Sequence, residues 1–277
     1  MLNKIDFSQI KITSYHYYIF IMVLLCLYYV LRVYYFSPYY NKDLIVFLSV
    51  GTGDSILIKS KNDILLLDGG PSSFSTNSIY KYTENRKPST YISSHTHSDH
   101  ISGLVHALES STFYDLFIPM VFNGTFESQK LKYTYNKGIK SSLVANDVLH
   151  VGNFNIKVIW PNSNCVSEDY NYCSLVLLVR HILGQSVLLT SDSPNKAQKL
   201  YYHQLNDVDY IKVPHQGSVY SLFPDLLKTV SPSNAIISVG ENTYGHPHQK
   251  VVDYYNNQGI NVYRTDEVGD VVLMFGK

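Results

Sequence analysis

Ser93-Ser94-His95-Thr96-His97-Ser98-Asp99-His100 decides how the rest of this chain is read. Three imidazoles and a carboxylate fall within six residues. His95 and His97 alternate, so on an extended or looped backbone both can point the same way. Asp99 and His100 follow where the chain can turn into the amphipathic run Ile101 to Leu108. Imidazole nitrogen and carboxylate oxygen are the donors that zinc, manganese or iron accept in hydrolytic sites. With 11 histidines in 277 residues, a chance gathering on a polar loop is the weaker reading.

Outward from this loop the pattern is of strands. Leu44 to Val50, Ser55 to Lys59 and Ile64 to Leu67 are expected strands, parted by Gly51-Thr52-Gly53-Asp54 and Ser60 to Asp63, which are turn chemistry. Thr90 to Ser93 is a short buried strand leading into the histidines, and Ile101 to Glu109 reads as a helix. Leu116 to Met120 and Phe154 to Trp160 are further strands. Ser174 to Arg180 and Ser186 to Thr190 flank Ile182-Leu183-Gly184-Gln185 as a hairpin. Helices are expected over Asn195 to Gln204, near Leu222 to Val230 and over Gln249 to Asn257. Strands are expected over Tyr210 to Val213, Ala235 to Val239, Ile260 to Arg264 and Val271 to Phe275. Meandering strands first, then strands alternating with helices, suit a two-sheet sandwich covered by helices on both outer faces.

The H-x-H-x-D-H pattern resembles the metallo-β-lactamase-fold hydrolases. Further stretches narrow the resemblance to the hydrolase domain of the ComEC competence family. They are Ser49-Val50-Gly51-Thr52-Gly53-Asp54-Ser55, Leu67-Asp68-Gly69-Gly70, Ser174 to Leu178, Leu188-Leu189-Thr190-Ser191-Asp192, Lys212-Val213-Pro214-His215-Gln216-Gly217-Ser218, and Ile237 to Gly240 followed by Tyr244-Gly245-His246-Pro247-His248. They run in the family's order over roughly residues 43–277. The resemblance implies an α+β fold, the αββα metallo-β-lactamase sandwich, preceded here by one N-terminal transmembrane helix.

That helix is read from composition. Ile12 to Leu31 contains no Asp, Glu, Lys or Arg, and twenty helical residues rise about 30 Å, enough for the hydrocarbon core. Tyr15, Tyr17 and Tyr18 at one end and Tyr34 and Tyr35 at the other suit interfacial belts. Tyr28 to Tyr40 has no Ala or Gly and only Ser37 as a small residue, so a signal-peptidase site is missing. Residues 1–42 are therefore expected to be an anchor (helix about 12–35) and linker, and 43–277 the hydrolase domain. Lys4, Lys11 and the amino terminus on one side, against Arg32 and Lys42 on the other, give a small excess that favours a single-pass chain with its domain on the extracytoplasmic side.

The net charge is zero, with 22 basic and 22 acidic residues. Setting aside residues 1–40, with Lys4, Lys11, Arg32 and Asp6, leaves 19 basic and 21 acidic. This balance argues against a broad basic face for duplex nucleic acid and leaves open a narrow groove beside a dimetal site. Of three cysteines, Cys26 lies in the apolar run; Cys165 and Cys173 can form a bridge or stay as two thiols.

The resemblance places two divalent metal ions, zinc or manganese. His95 and His97 are expected to hold one; Asp99, His100 and His215 the other; Asp192, after the strand Ser186 to Thr190, to bridge both. Two cations about 3.5–4 Å apart need an anionic bridge and can share a hydroxide, a nucleophile at neutral pH. Asp99 is the expected catalytic residue, as a ligand that also orients that hydroxide. Asp68 is expected behind the loop, accepting its hydrogen bonds. His246 and His248, at a helix start that attracts anions, are expected substrate contacts. Lys130, Lys132, Lys137 and Lys140 interleave with Tyr133 and Tyr135, which reads first as a solvated hairpin and second as a strand-binding patch.

Departures from the family pattern are Thr52 for Gln, Thr96 for Pro, Ser191 for Gly and Gln216 for His. No Gly-rich loop around His106, His150 or His181 completes the first metal. The reading is a membrane-anchored dimetal phosphodiesterase acting on single-stranded DNA, partnered by the bilayer and by a separate channel for any uptake. A hydrolase of a small ester, thioester, lactam or cyclic phosphate is the alternative, and a membrane module with a degenerate site the third.

Overall fold

The computed structural model describes residues 14–35, 38–73, 78–109, 111, 114–134 and 140–276. The chain divides into two compact units, 1–40 and 41–277. In the first, α1 (Ser14–Tyr35) is a 22-residue helix. Its stretch Tyr15–Arg32 is long and apolar enough to cross a membrane, and none of it is buried.

The second unit is built on two seven-stranded sheets. The first holds β1 (Asp43–Phe47), β2 (Ile56–Ser60), β3 (Asp63–Leu67), β4 (Thr90–Ile92), β5 (Asp115–Phe117), β6 (Lys140–Ser141) and β14 (Val271–Phe275), in the order β14-β1-β2-β3-β4-β5-β6. The second holds β7 (Val148–Val151), β8 (Phe154–Trp160), β9 (Val176–His181), β10 (Ser186–Leu189), β11 (Tyr210–Lys212), β12 (Asn234–Ile237) and β13 (Asn261–Arg264), in the order β13-β12-β11-β10-β9-β8-β7. Side chains alternate across each strand. Ile45, Phe47, Ile56, Ile58, Leu65 and Leu67 of one sheet therefore meet Phe154, Ile156, Val158, Leu177, Val179 and Val187 of the other in one core.

The strands are apolar on both faces because both faces are covered. On the second sheet, Val176, Leu188, Ile211, Ala235 and Ile237 pack against three helices. These are α4 (Asn195–Tyr201), α5 (Pro224–Val230) and α6 (Gln249–Asn257). On the first sheet, Leu44, Val46, Leu57 and Leu66 are buried on the outward face. The helix α2 (Ser98–Glu109) buries Ile101, Leu104, Val105 and Leu108, the i, i+3, i+4, i+7 stripe of an amphipathic helix. This is the αββα sandwich expected.

Two local expectations are corrected, and one alternative left open is settled. The helix α2 begins at Ser98, not Ile101, because His97 O accepts from His100 N at 3.0 Å and Ile101 N at 3.1 Å. Asp99 therefore sits in its first turn, where a carboxylate suits the helix dipole. The solvated hairpin is instead α3 (Phe126–Tyr133), capped by Thr125, whose side chain accepts from Ser128 N. Lys130 pairs with Glu109 and Lys132 lies over the Phe122 ring; Tyr135 and Lys137 lie outside the described residues. Cys165 and Cys173 form a disulfide rather than two thiols.

Parallel pairing runs β3-β4-β5-β6 in one sheet and β10-β11-β12-β13 in the other. Carboxyl ends of parallel strands are where such sheets bind ligands, and here both sets end at one edge. The sheets are tied there: Leu175 N donates to Ser94 O at 3.1 Å and Ser191 Oγ to Ser94 Oγ at 2.8 Å.

The helix α2 reaches this edge because Gly69 and Gly103 touch. Gly69 N donates to His100 O at 2.7 Å and Gly103 N to Gly70 O at 3.0 Å. A Cβ on Gly103 would lie 2.0 Å from Gly69 O. Gly103→Ala should therefore shift the helix carrying Asp99 and His100 and cost about 1–3 kcal/mol of stability. Denaturant midpoints check this; an unchanged midpoint with unchanged metal uptake would show the contact is not needed.

Candidate metal centre

His95 and His97 follow β4, Asp192 follows β10 and His215 follows β11. The fold brings these together with Asp99 and His100 from the first turn of α2. Nitrogen and oxygen atoms of His95, His97 and Asp192 lie within 4.8 Å of one another, and so do those of Asp54, His100 and Asp192. Asp192 Oδ2 is the meeting point. It lies 3.3 Å from His100 Nε2, 3.6 Å from His215 Nε2 and 3.8 Å from His95 Nε2. Asp99 Oδ2 is 3.8 Å from His100 Nε2 and accepts from Gln216 Nε2 at 2.9 Å.

Asp68 sets the tautomers. Its carboxylate accepts from Ser94 N at 2.7 Å, Ser94 Oγ at 2.6 Å and His100 Nδ1 at 2.9 Å. Having given its proton to Asp68, the Ser94 hydroxyl can only accept from His95 Nδ1, 3.0 Å away. Both rings thus carry hydrogen on Nδ1 and turn Nε2 toward Asp192, the orientation a metal-binding histidine takes from its outer partner.

The donors fit a cation. His100 Nε2 and Asp192 Oδ1 are buried with no hydrogen-bond partner. Burial, with His100 close by, holds the His95 imidazole well below its ordinary pKa. Burial likewise lowers His97. Both are neutral lone-pair donors. Burial opposes charge on His100, but Asp192 and Asp99 outweigh it and hold that imidazole well above the usual range. Burial also works against an ionised Asp192, yet His100 and His215 hold its carboxyl well below the usual carboxylate range. The pocket collects negative charge and places a positive one beside it, as a divalent site does.

Sequence reasoning missed Asp54 and Lys212. Lys212 is fully buried. Its Nζ lies 2.5 Å from Asp54 Oδ2 and 3.8 Å from Asp192 Oδ1, and donates to Ser191 O at 3.1 Å. Burial raises the Asp54 pKa against the pull of Lys212. Asp54 is committed to this ammonium, so we read it as the countercharge of Lys212 and not as a metal ligand. A lysine in an apolar strand and an aspartate in a turn carry no one-dimensional signal of such a pair.

This donor cluster opens into a cleft of about 810 Å³, lined among others by His97, Asp99, Asp192, His215 and His246. Among the described lining residues none is Lys or Arg. His246 packs edge-on to His215 with ring centroids 5.5 Å apart. His248 is not among the lining residues; its Nδ1 accepts from Lys250 N at 3.2 Å and caps α6. His106 pairs with Glu109 and His181 with Asp43, and His150 is exposed on β7. None of these three joins the cluster.

Against solved structures, the chain aligns with YhfI of Bacillus subtilis, a metallo-β-lactamase fold protein. The TM-score is 0.58 over 84% of this chain and 100% of that one, at 16% identity. The chain has the metallo-β-lactamase fold. In sequence it resembles the ComEC family. It is 26% identical to ComE operon protein 3 of Bacillus subtilis over 252 residues, 81% of this chain and 32% of that protein. It is 28% identical to Recombination protein 2 of Haemophilus influenzae over 235 residues, 82% of this chain and 28% of that protein. The chain thus spans about a third of the length of the curated relatives it matches. No family model matches it.

Within this metallo-β-lactamase frame two of the four departures have local explanations. Ser191 sits at φ 46°, the left-handed region that makes Gly usual there. Its hydroxyl is used to reach Ser94 across the sheets. Gln216, also left-handed at φ 53°, spends its amide on Asp99.

Proposed function

We propose that the chain is a membrane-anchored, metal-dependent phosphodiesterase that cuts single-stranded DNA. One observation carries the reading: His95, His100 and His215 all turn Nε2 toward Asp192 Oδ2, with His97 and Asp99 beside them, at a cleft reached by solvent. Two divalent cations, zinc or manganese, would supply Lewis acidity toward a phosphate and a water of lowered pKa. His95, His97 and Asp192 would hold one, and Asp99, His100, His215 and Asp192 the other.

The chain's own groups do the rest. Asp68, directly and through Ser94, keeps Nε2 of His100 and His95 free to ligate. Gln216 holds one oxygen of Asp99, which leaves the other to orient the attacking water; this is the catalytic role we give Asp99. His246 faces the cleft as a phosphate contact, while His248 is given to the helix cap and would act on substrate only through that helix end. The DNA preference rests on the relatives, one of which is named for recombination.

In this reading α1 anchors the chain. The disulfide Cys165–Cys173 suits an oxidising compartment, hence a domain on the extracytoplasmic side. A separate membrane partner would supply any passage for DNA.

The test uses the full chain in detergent, loaded with manganese or zinc, on end-labelled single strands and duplexes. Single strands should be cut, duplexes more slowly, and EDTA should stop both. A protein shown by elemental analysis to hold metal that leaves single strands intact would overturn the proposal.

A further inference from the structure

Two exposed tyrosines stand on the same cleft. Tyr220 lies in the turn Val219–Ser221, just after the loop of His215, and Tyr244 lies in the loop before α6. They are 79% and 78% exposed, and both line the cleft with Asp192 and His215. Elsewhere in this unit Tyr82, Tyr91, Tyr201 and Tyr255 bury their rings, and the exposed Tyr133 and Tyr263 do not line the cleft. A large ring left in water at a cleft wall is a surface waiting for a flat partner.

Tyr244 is held in place. Its N–H and that of His246 both donate to Asn242 Oδ1, at 3.1 Å and 3.0 Å. Its ring stacks on His246, with centroids 6.0 Å apart and planes at 29°, and His246 packs edge-on to His215. A row of rings leads from a metal ligand out to solvent. At the other donor group, Tyr170 meets His97 edge-on at 6.0 Å.

The remaining lining is of amides and hydroxyls such as Thr52, Asn123, Thr125, Asn171 and Ser218. A groove for a single strand ordinarily combines cations that follow the backbone with rings that take the bases. Here no Lys or Arg lines the described cleft, so positive charge is confined to the ligand cluster. Affinity along the rest of a strand must come from the rings. A base inside a duplex has both faces covered by its neighbours; only an unpaired base offers one.

We propose that Tyr220 and Tyr244 are stacking platforms for the bases beside the scissile phosphate, and that this stacking sets the preference for unpaired strands. The proposal rests on the phosphodiesterase reading above and assigns it a base-binding subsite. Stacking on a flat ring does not depend on which base is present, so the subsite is tolerant of sequence.

The experiment compares two equal-length single strands on the full, manganese-loaded chain: oligothymidylate, and a strand of abasic sugars with the same phosphates. The readout is the ratio of their kcat/KM values, in which losses of folding or metal cancel. Wild type should favour oligothymidylate by about tenfold or more for each base stacked, mainly through KM. The ratio should fall close to one in Tyr220→Ala/Tyr244→Ala and survive in Tyr220→Phe/Tyr244→Phe, which keeps the rings. A ratio retained by the alanine pair, or lost in the phenylalanine pair, overturns the assignment. Equal cutting of both strands by wild type overturns it too, and leaves the phosphodiesterase reading standing. If wild type cuts neither strand yet hydrolyses bis(p-nitrophenyl) phosphate, the single-strand reading itself falls, and the subsite with it.

Discussion

Asp192→Asn should lose both metals and all measurable hydrolysis, while Asp99→Asn should keep part of the metal and lose mainly rate. Asp192 Oδ2 is the atom that His95, His100 and His215 all face. Its side chain is buried beside the ammonium of Lys212. An amide there has the same shape but no charge to offset a dication, and Lys212 keeps its own charge beside it. The loss in turnover should exceed about 100-fold, the upper range for outer-shell changes around a metal. Asp99 is different. Its side chain is 30% exposed and is tied to Gln216, so its replacement weakens one ligand set and leaves His95, His97 and Asp192 in place. Elemental analysis beside single-turnover rates separates the two. Wild-type metal content and near-normal hydrolysis in Asp192→Asn would falsify the central role given to that carboxylate.

Lys212→Met should be among the most damaging substitutions for stability in the chain. Removing one partner of a buried pair leaves the other as an uncompensated charge, which typically costs about 3–5 kcal/mol. Here the orphan would be Asp54, whose oxygens have no hydrogen bond apart from their contact with the ammonium. The carbonyl of Ser191 would lose its donor as well, loosening the left-handed turn that presents Asp192. Metal affinity should fall together with stability. The double variant Asp54→Asn/Lys212→Met removes both charges and should recover part of the loss, the coupling a double-mutant cycle reads. Chemical denaturation of the four proteins is the measurement. Additive effects would mean that the two residues do not act as a pair.

What could be read from residues alone was the chemistry that sits on consecutive positions. His95, His97, Asp99 and His100 announce themselves by spacing. Asp192 and His215 became candidates through the resemblance to the ComEC family, supported by the apolar run that each follows. The core strands were legible for the same reason: Ile45, Phe47, Ile56 and Ile58 alternate in runs bounded by glycines. The losses are equally physical. Lys212 looks like the polar end of a short strand, because burial of a lysine depends on a partner 158 residues away in sequence, Asp54. The helix α3 buries only Ser128 and Leu131, too little apolar periodicity to stand out among lysines and tyrosines. Its start was marked only by the Thr125 cap. The subsite tyrosines were lost among the 25 of their kind, since their place on the cleft, and not their identity, distinguishes them.

The donors of the proposed metal centre are divided between the sheets. His95, His97, Asp99 and His100 belong to the first, Asp192 and His215 to the second. A cation taken by both sets is a rivet through the open edge of the sandwich, placed where the halves are otherwise joined by a few hydrogen bonds such as Ser191 to Ser94. Loading and stiffness are then one event, since whatever binds only the closed arrangement stabilises it. Metal supply would govern how long the molecule lasts as well as how fast it works. A shortage would leave that edge held by direct contacts such as the Leu175–Ser94 and Ser191–Ser94 hydrogen bonds and the buried Lys212–Asp54 pair.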